Sequence, residues 1–265
     1  MEQVIAWIVS LITSVAPMGR KQYIPEATET VEEAKARYDS IASDAMMVAY
    51  DPQEKPLFHG SRGRARTLMV ILSASTFESS FRKDVDLGIG KLAQGDGGKS
   101  WCLNQIQLGK VDAEGNTPNR IVVTIGGGYR FSNKPTEGWS GTDLVQDRQK
   151  CFHAALAVIR SSFAATSKLP LEDRLKVYAS GSVDKGEEAS RRRMGLAMRW
   201  MATKSPHFRD SEVLEWINSQ QEDVPPVKGI DKGLLISKWE PGYNVKNTLV
   251  SLHLPIQPHF SGLSL

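Results

Sequence analysis

The chain has 265 residues, 40% of them hydrophobic and 24% charged, which excludes a collagen-like, low-complexity or wholly disordered polymer. Lysine plus arginine is 33 against 30 for aspartate plus glutamate, a net charge of +3 that gives no argument for nucleic acid as a partner. Two cysteines, Cys102 and Cys151, are too few to frame a fold; one bridge is possible, and they do not fix the compartment.

Residues 4–15 are mostly apolar but lack the cationic start of a secretory signal, since the only early charge is Glu2. Ser10, Thr13 and Ser14 interrupt the run and Pro17 ends it. We read it as a short helix packed in a core or lying at an interface, in preference to a signal or anchor. Thr30 followed by Glu33 is a capping-box pattern and predicts a helix over 30–50, with Ala34, Tyr38, Ile41 and Ala42 as its apolar stripe. A Pro-, Gly- and Arg-bearing connection over 51–66 leads to a second helix over 67–81, apolar nearly all round, as a central buried helix is. Residues 83–99 read as a glycine-bearing loop. For 101–108 periodicity does not choose between helix and strand.

A β-branched stretch at 120–125 predicts a strand ended by Gly126, Gly127 and Gly128. No Walker-type lysine follows these glycines, so they make no phosphate loop. Asp143 with Gln146 opens a third helix whose face runs through Phe152, Leu156, Ile159 and Phe163. Pro170 begins another, through Leu171, Leu175 and Tyr178, and 194–201 is helical too. A short helix with Val213, Leu214, Trp216 and Ile217 follows Pro206. From Pro225 the chain turns to extended segments of the kind that dock on something else. The expected class is therefore mainly α (α+β).

Glu78 stands out chemically. It shares a helical face with Ala74, Ile71 and Phe81, near a helix end. Apolar surroundings disfavour the carboxylate and raise its pKa, so the carboxyl can serve as a general acid; the alternative is a solvated glutamate at a fraying end. Asp96 lies in Gly95-Asp96-Gly97-Gly98, where glycines let the backbone bend it toward a cleft, or where it merely suits a turn. Asp84 and Asp86 read as solvated or turn-forming. The five histidines are scattered, and no Cys-x-x-Cys or His-Glu-x-x-His spacing supports a metal.

Three stretches carry a resemblance. Glu78-Ser79-Ser80-Phe81, then Ser100-Trp101-Cys102-Leu103-Asn104-Gln105-Ile106, then Tyr178-Ala179-Ser180-Gly181 resemble, in order, the motifs of the lysozyme-like superfamily that includes lytic transglycosylases and goose-type lysozymes. The resemblance covers about 56–206. It implies a lysozyme-like catalytic domain there and says nothing about the ends of the chain, which the residue pattern alone reads as a helical N-terminal segment over 1–55 and an extended C-terminal extension over 207–265. It further implies cleavage of the MurNAc-GlcNAc β-1,4 linkage of bacterial peptidoglycan with Glu78 as general acid/base, and Asp96 as a second catalytic carboxylate in a hydrolase. Ser100, Gln105, Tyr178 and Ser180 become substrate-binding candidates, and Trp101 and Trp139 could stack on sugars or sit in the core. No cofactor, metal or nucleic acid is implied.

This sequence departs from the pattern in places. Cys102 stands for the usual glycine and Asn104 for a frequent methionine. Ala179-Ser180 replaces an Asn-Ala pair, and Gln107 falls where the family has another aspartate. Arg191-Arg192-Arg193 reads as a solvated face before an anionic-wall contact. A bacteriophage-encoded enzyme, carried in the virion or acting in the host cell, fits the absence of a cationic leader. The terminal extensions would then join it to other virion proteins, so that deleting 225–265 releases it. Two alternatives are a non-catalytic virion or wall-binding protein that keeps the fold, and a wall amidase using Cys102 with His153.

Overall fold

Thr30 caps α2 (Val31–Tyr50) as its spacing from Glu33 demands: its hydroxyl accepts the Glu33 N–H at 3.1 Å, and the Glu33 carboxylate accepts the Thr30 N–H at 2.9 Å. Around this helix the computed structural model, which describes residues 2–22, 24–90, 93–110, 118–203 and 210–215, builds a mainly helical body. α1 (Glu2–Val15) lays Val4, Ile8, Val9, Leu11 and Ile12 against it. Tyr38 from α2 ties the end of α1, donating its hydroxyl to the Ala16 carbonyl at 3.0 Å.

α3 (Gly63–Ser79) is the central helix. Every residue from Thr67 to Ser75 is buried, which explains its lack of a polar face. It packs on α2 and, most extensively, on α9 (Glu187–Ala202). The sequence extends this helix to Phe81, but it stops at Ser79. Ser80 and Phe81 both take left-handed φ, 50° and 52°, and Phe81 turns back into the core edge-on to Tyr38. Two such non-glycine residues in succession are costly. Arg20 donates to the Ser80 carbonyl and Arg37 to the Phe81 carbonyl, and together they hold the turn.

The expected loop over 83–99 contains a short helix, α4 (Lys83–Leu87), and a distorted single turn, α5 (Gly95–Gly98). Asp84 and Asp86, expected in solvent, are buried. Asp84 pairs with Arg82, and Asp86 lies between Arg37 at 3.5 Å and Arg148 at 2.6 Å. Burial of these carboxylates is compatible with charge because each has a guanidinium partner; sequence spacing carries no trace of partners so distant in the chain.

The ambiguous stretch resolves as a tiny hairpin, β1 (Ser100–Trp101) with β2 (Ile106–Gln107). The expected strand is β3 (Arg120–Val123), paired antiparallel to β4 (Tyr129–Ser132), with Val123 opposite Tyr129. The expected third helix is two. Ser140 and Asp143 form the capping box of α6 (Gly141–Gln146), and Asp147 leaves helical geometry to cap α7 (Arg148–Ala165), accepting the Gln149 and Lys150 N–H groups. Phe152, Leu156 and Ile159 are buried as their spacing requires, while Phe163 is partly buried, edge-on to Phe58. After Pro170 comes a 3-10 turn (Leu171–Asp173) and then α8 (Lys176–Ser180).

The described residues all fall within one compact unit. The expected boundary after residue 55 does not divide the core: α1 and α2 share one apolar cluster with α3, α7 and α9. The boundary before 207 does not divide it either. Residues 210–215 are helical, Val213 is buried in the same cluster, and Asp210 accepts from the Tyr50 hydroxyl and the Arg64 N–H. Trp216, Ile217 and the segment from Pro225 lie outside the described residues. No described helix is long and apolar enough to cross a membrane.

Candidate functional site

Glu78 occupies the last turn of α3, facing α9. Its side chain is 21% exposed, neither immersed in solvent nor sealed away. Arg193 of α9 donates to it through Nη2 at 2.6 Å and Nε at 3.2 Å. Both bonds end on Oε1, and Oε2 takes none among the described residues. Burial raises the carboxyl above its ordinary 4.5, Arg193 opposes that rise, and the charge of nearby Asp96 adds to it. The outcome is a carboxyl with one anchored oxygen and one oxygen open to a proton.

The other residues of the three motifs divide into those that surround Glu78 and those that support the loops. Tyr178 on α8 comes close enough for the Glu78 charge to join burial in raising its phenol; its hydroxyl donates to the Asn104 carbonyl at 3.2 Å. Asp96 is exposed on the α5 turn, at φ 51°, and accepts the buried Ser100 hydroxyl at 2.6 Å. Gln105 serves its own loop: its amide oxygen accepts the Gly95 N–H at 2.8 Å and its amide nitrogen donates to the Cys102 carbonyl at 2.9 Å. Ser180 closes the end of α8, donating to the Lys176 carbonyl. Ser100 and Gln105 are thus hydrogen-bonded within the loop that carries Asp96. Trp101 is buried, with its indole donating to the Gly109 carbonyl and its ring pressed so close to Gly141 that any Cβ there would lie 2.1 Å from it.

Cys102 sits in the left-handed region at φ 59°, a conformation open to glycine without strain, and is bonded to Cys151 of α7. The bridge ties the β1–β2 loop to the helical core. It also consumes the thiol that an amidase would need, and His153 is directed elsewhere, its Nδ1 2.8 Å from Glu54 Oε1. The cysteine-histidine pairing considered from sequence is therefore corrected: those side chains form no nucleophile-base pair.

Among the described residues five non-glycine positions have left-handed φ: Ser80, Phe81, Asp96, Cys102 and Gln105. They lie in two segments, the turn that directly follows Glu78 at the end of α3 and the 95–106 loop, whose Asp96 is within electrostatic reach of Glu78. Backbone strain of this kind collects where a structure fixes functional groups. Arg193 was read from sequence, with Arg191 and Arg192, as part of a solvated face, and its pairing with Glu78 corrects that. The helix separates them: Arg192 pairs with Glu188 and Arg191 with Asp173 on the exposed side, and Arg193 turns inward.

No protein-family model, curated protein or solved structure matches this chain. Among the described residues no group of histidine, cysteine, aspartate and glutamate is disposed to hold a metal ion.

Proposed function

We propose that this protein cleaves the MurNAc-GlcNAc β-1,4 linkage of bacterial peptidoglycan, with Glu78 as general acid and then base. The observation that carries the reading is the state of Glu78: partly buried, raised in pKa, held through Oε1 alone, two residues before the left-handed turn at Ser80 and within electrostatic reach of Asp96. Glycosidic cleavage needs a proton delivered to a poor leaving oxygen as an oxocarbenium-like transition state develops. Oε2 would deliver that proton. Arg193 would fix the carboxyl plane and stabilise the carboxylate formed after transfer. The same carboxylate would then take a proton from the sugar's hydroxymethyl group, giving an anhydro end, or Asp96 would orient a water for hydrolysis. Tyr178, beside the carboxyl, would face the sugar.

The test is mass spectrometry of muropeptides released from purified sacculi. The wild-type chain should release anhydro ends if it is a transglycosylase and reducing ends if it is a hydrolase. Glu78→Gln should lower the rate by at least about a thousandfold, as expected when an enzyme loses its proton donor. Equal release by Glu78→Gln would end the proposal. The Glu78–Arg193 pair also suits a second reading, a non-catalytic protein in which the pair only joins α3 to α9; no release by wild type at any pH from mild acid to neutral would select it. A virion or host-cell setting, with partners bound through the C-terminal residues, belongs to the same proposal.

A further inference from the structure

Helix N-termini favour acidic side chains and disfavour cations. α3 contradicts this: Arg62, Arg64 and Arg66 crowd its start, and its first turn holds no acidic residue. Arg64 is explained by the fold, since its guanidinium donates to the carbonyls of Ala49, Asp51 and Glu54. The guanidinium groups of Arg62 and Arg66 are not. Both residues are exposed, Arg62 as the N-cap of α3 and Arg66 in its first turn, and neither guanidinium has a hydrogen-bond or ion-pair partner among the described residues. Both line a cavity of about 370 Å³ whose remaining walls are apolar, including Trp7 of α1, Met69 of α3, and Met198 and Met201 of α9.

We propose that this cavity binds an anionic amphiphile, an unbranched acyl chain ending in a carboxylate or phosphate. The volume lies within the usual range of small-molecule sites. Methionines adapt to a flexible chain, and paired guanidinium groups match the geometry of a carboxylate or phosphate. A neutral apolar ligand would leave the two cations without purpose, and a bare inorganic anion would leave the apolar wall, with Met198 38% exposed, uncovered. The site is separate from Glu78, which lies 12 residues beyond Arg66 on the same helix, roughly 18 Å at the α-helical rise.

Isothermal titration of the full chain with monododecyl phosphate below its micelle concentration should show saturable one-to-one binding. Dodecyl maltoside should bind about tenfold more weakly or worse, and inorganic phosphate should not bind measurably. Arg62→Ala/Arg66→Ala should weaken dodecyl phosphate about tenfold with an unchanged melting temperature, and Met198→Glu should weaken it by placing a negative charge on the apolar wall. Sedimentation with phosphatidylglycerol but not phosphatidylcholine vesicles, lost in the double variant, would identify a bilayer lipid as the source. Saturable binding without sedimentation would identify a free amphiphile. Equal affinity for the neutral detergent, equal affinity for inorganic phosphate, no saturable binding, or an unaffected double variant would each overturn the proposal. None of these readouts depends on wall cleavage.

Discussion

Glu78 receives both Arg193 bonds on one oxygen, and that asymmetry makes its protonation testable. Activity that requires the acid form falls as pH rises through the Glu78 pKa. The guanidinium lowers that pKa against the larger effect of burial. Arg193→Ala should therefore move the alkaline limb of the pH–lysis profile upward, while Arg193→Lys, which keeps the charge, should leave it near the wild-type position. A limb that moves downward in Arg193→Ala would show that Arg193 does not act on this carboxyl. Glu54 is the opposite case. Burial alone would raise it, but His153, Arg160 and the Gly126 N–H outweigh burial and hold it below the ordinary 4.5. A carboxyl with a depressed folded pKa contributes stability above its unfolded pKa and loses it as pH falls through the folded one. Glu54→Ala should cost about 3 kcal/mol at pH 7, because it removes the carboxylate that Arg160 and His153 share and the acceptor of the Gly126 N–H. The cost should shrink below pH 4.5 in urea melts taken across pH.

At the scale of elements, the loop that carries Asp96 and Ser100 has very little regular structure of its own. Two short strands, the Gln105 side chain and one bridge define it. Cys102 and Cys151 are 49 residues apart, and closing a loop of that length stabilises a fold by about 4 kcal/mol in the chain-entropy model. Cys102→Ser/Cys151→Ser should lower the urea stability by an amount of that order, and should reduce lysis further by loosening the Asp96 turn. A double variant with wild-type stability would mean that the bridge is not formed in solution. This element was only half legible. The glycines around Asp96 announced a turn, but whether 101–108 was helix or strand depended on pairing, which periodicity over so few residues does not encode.

For the whole molecule, the sharpest question from sequence was whether residues 4–15 form part of the body or an attached anchor. Ile12 is fully buried in the common core. Ile12→Ala should therefore destabilise the entire unit by roughly 3 kcal/mol, with all probes reporting one transition. An anchor helix would leave the melt of the remaining chain unchanged, and differential scanning calorimetry separates the two outcomes.

The sequence by itself determined what depends on near neighbours. Thr30 and Glu33 specified the start of α2, the apolar run over 67–75 specified a central helix, and the spacing of Phe152, Leu156 and Ile159 specified the buried face of α7. These signals are local because a helix closes its own hydrogen bonds within four residues. The tertiary structure alone decided which charges meet. Asp86 finds Arg37 and Arg148, Glu54 finds His153 and Arg160, and Glu78 finds Arg193, 115 positions away. A buried charge is tolerable only beside its partner, and no rule of spacing along the chain specifies which distant cation that partner will be.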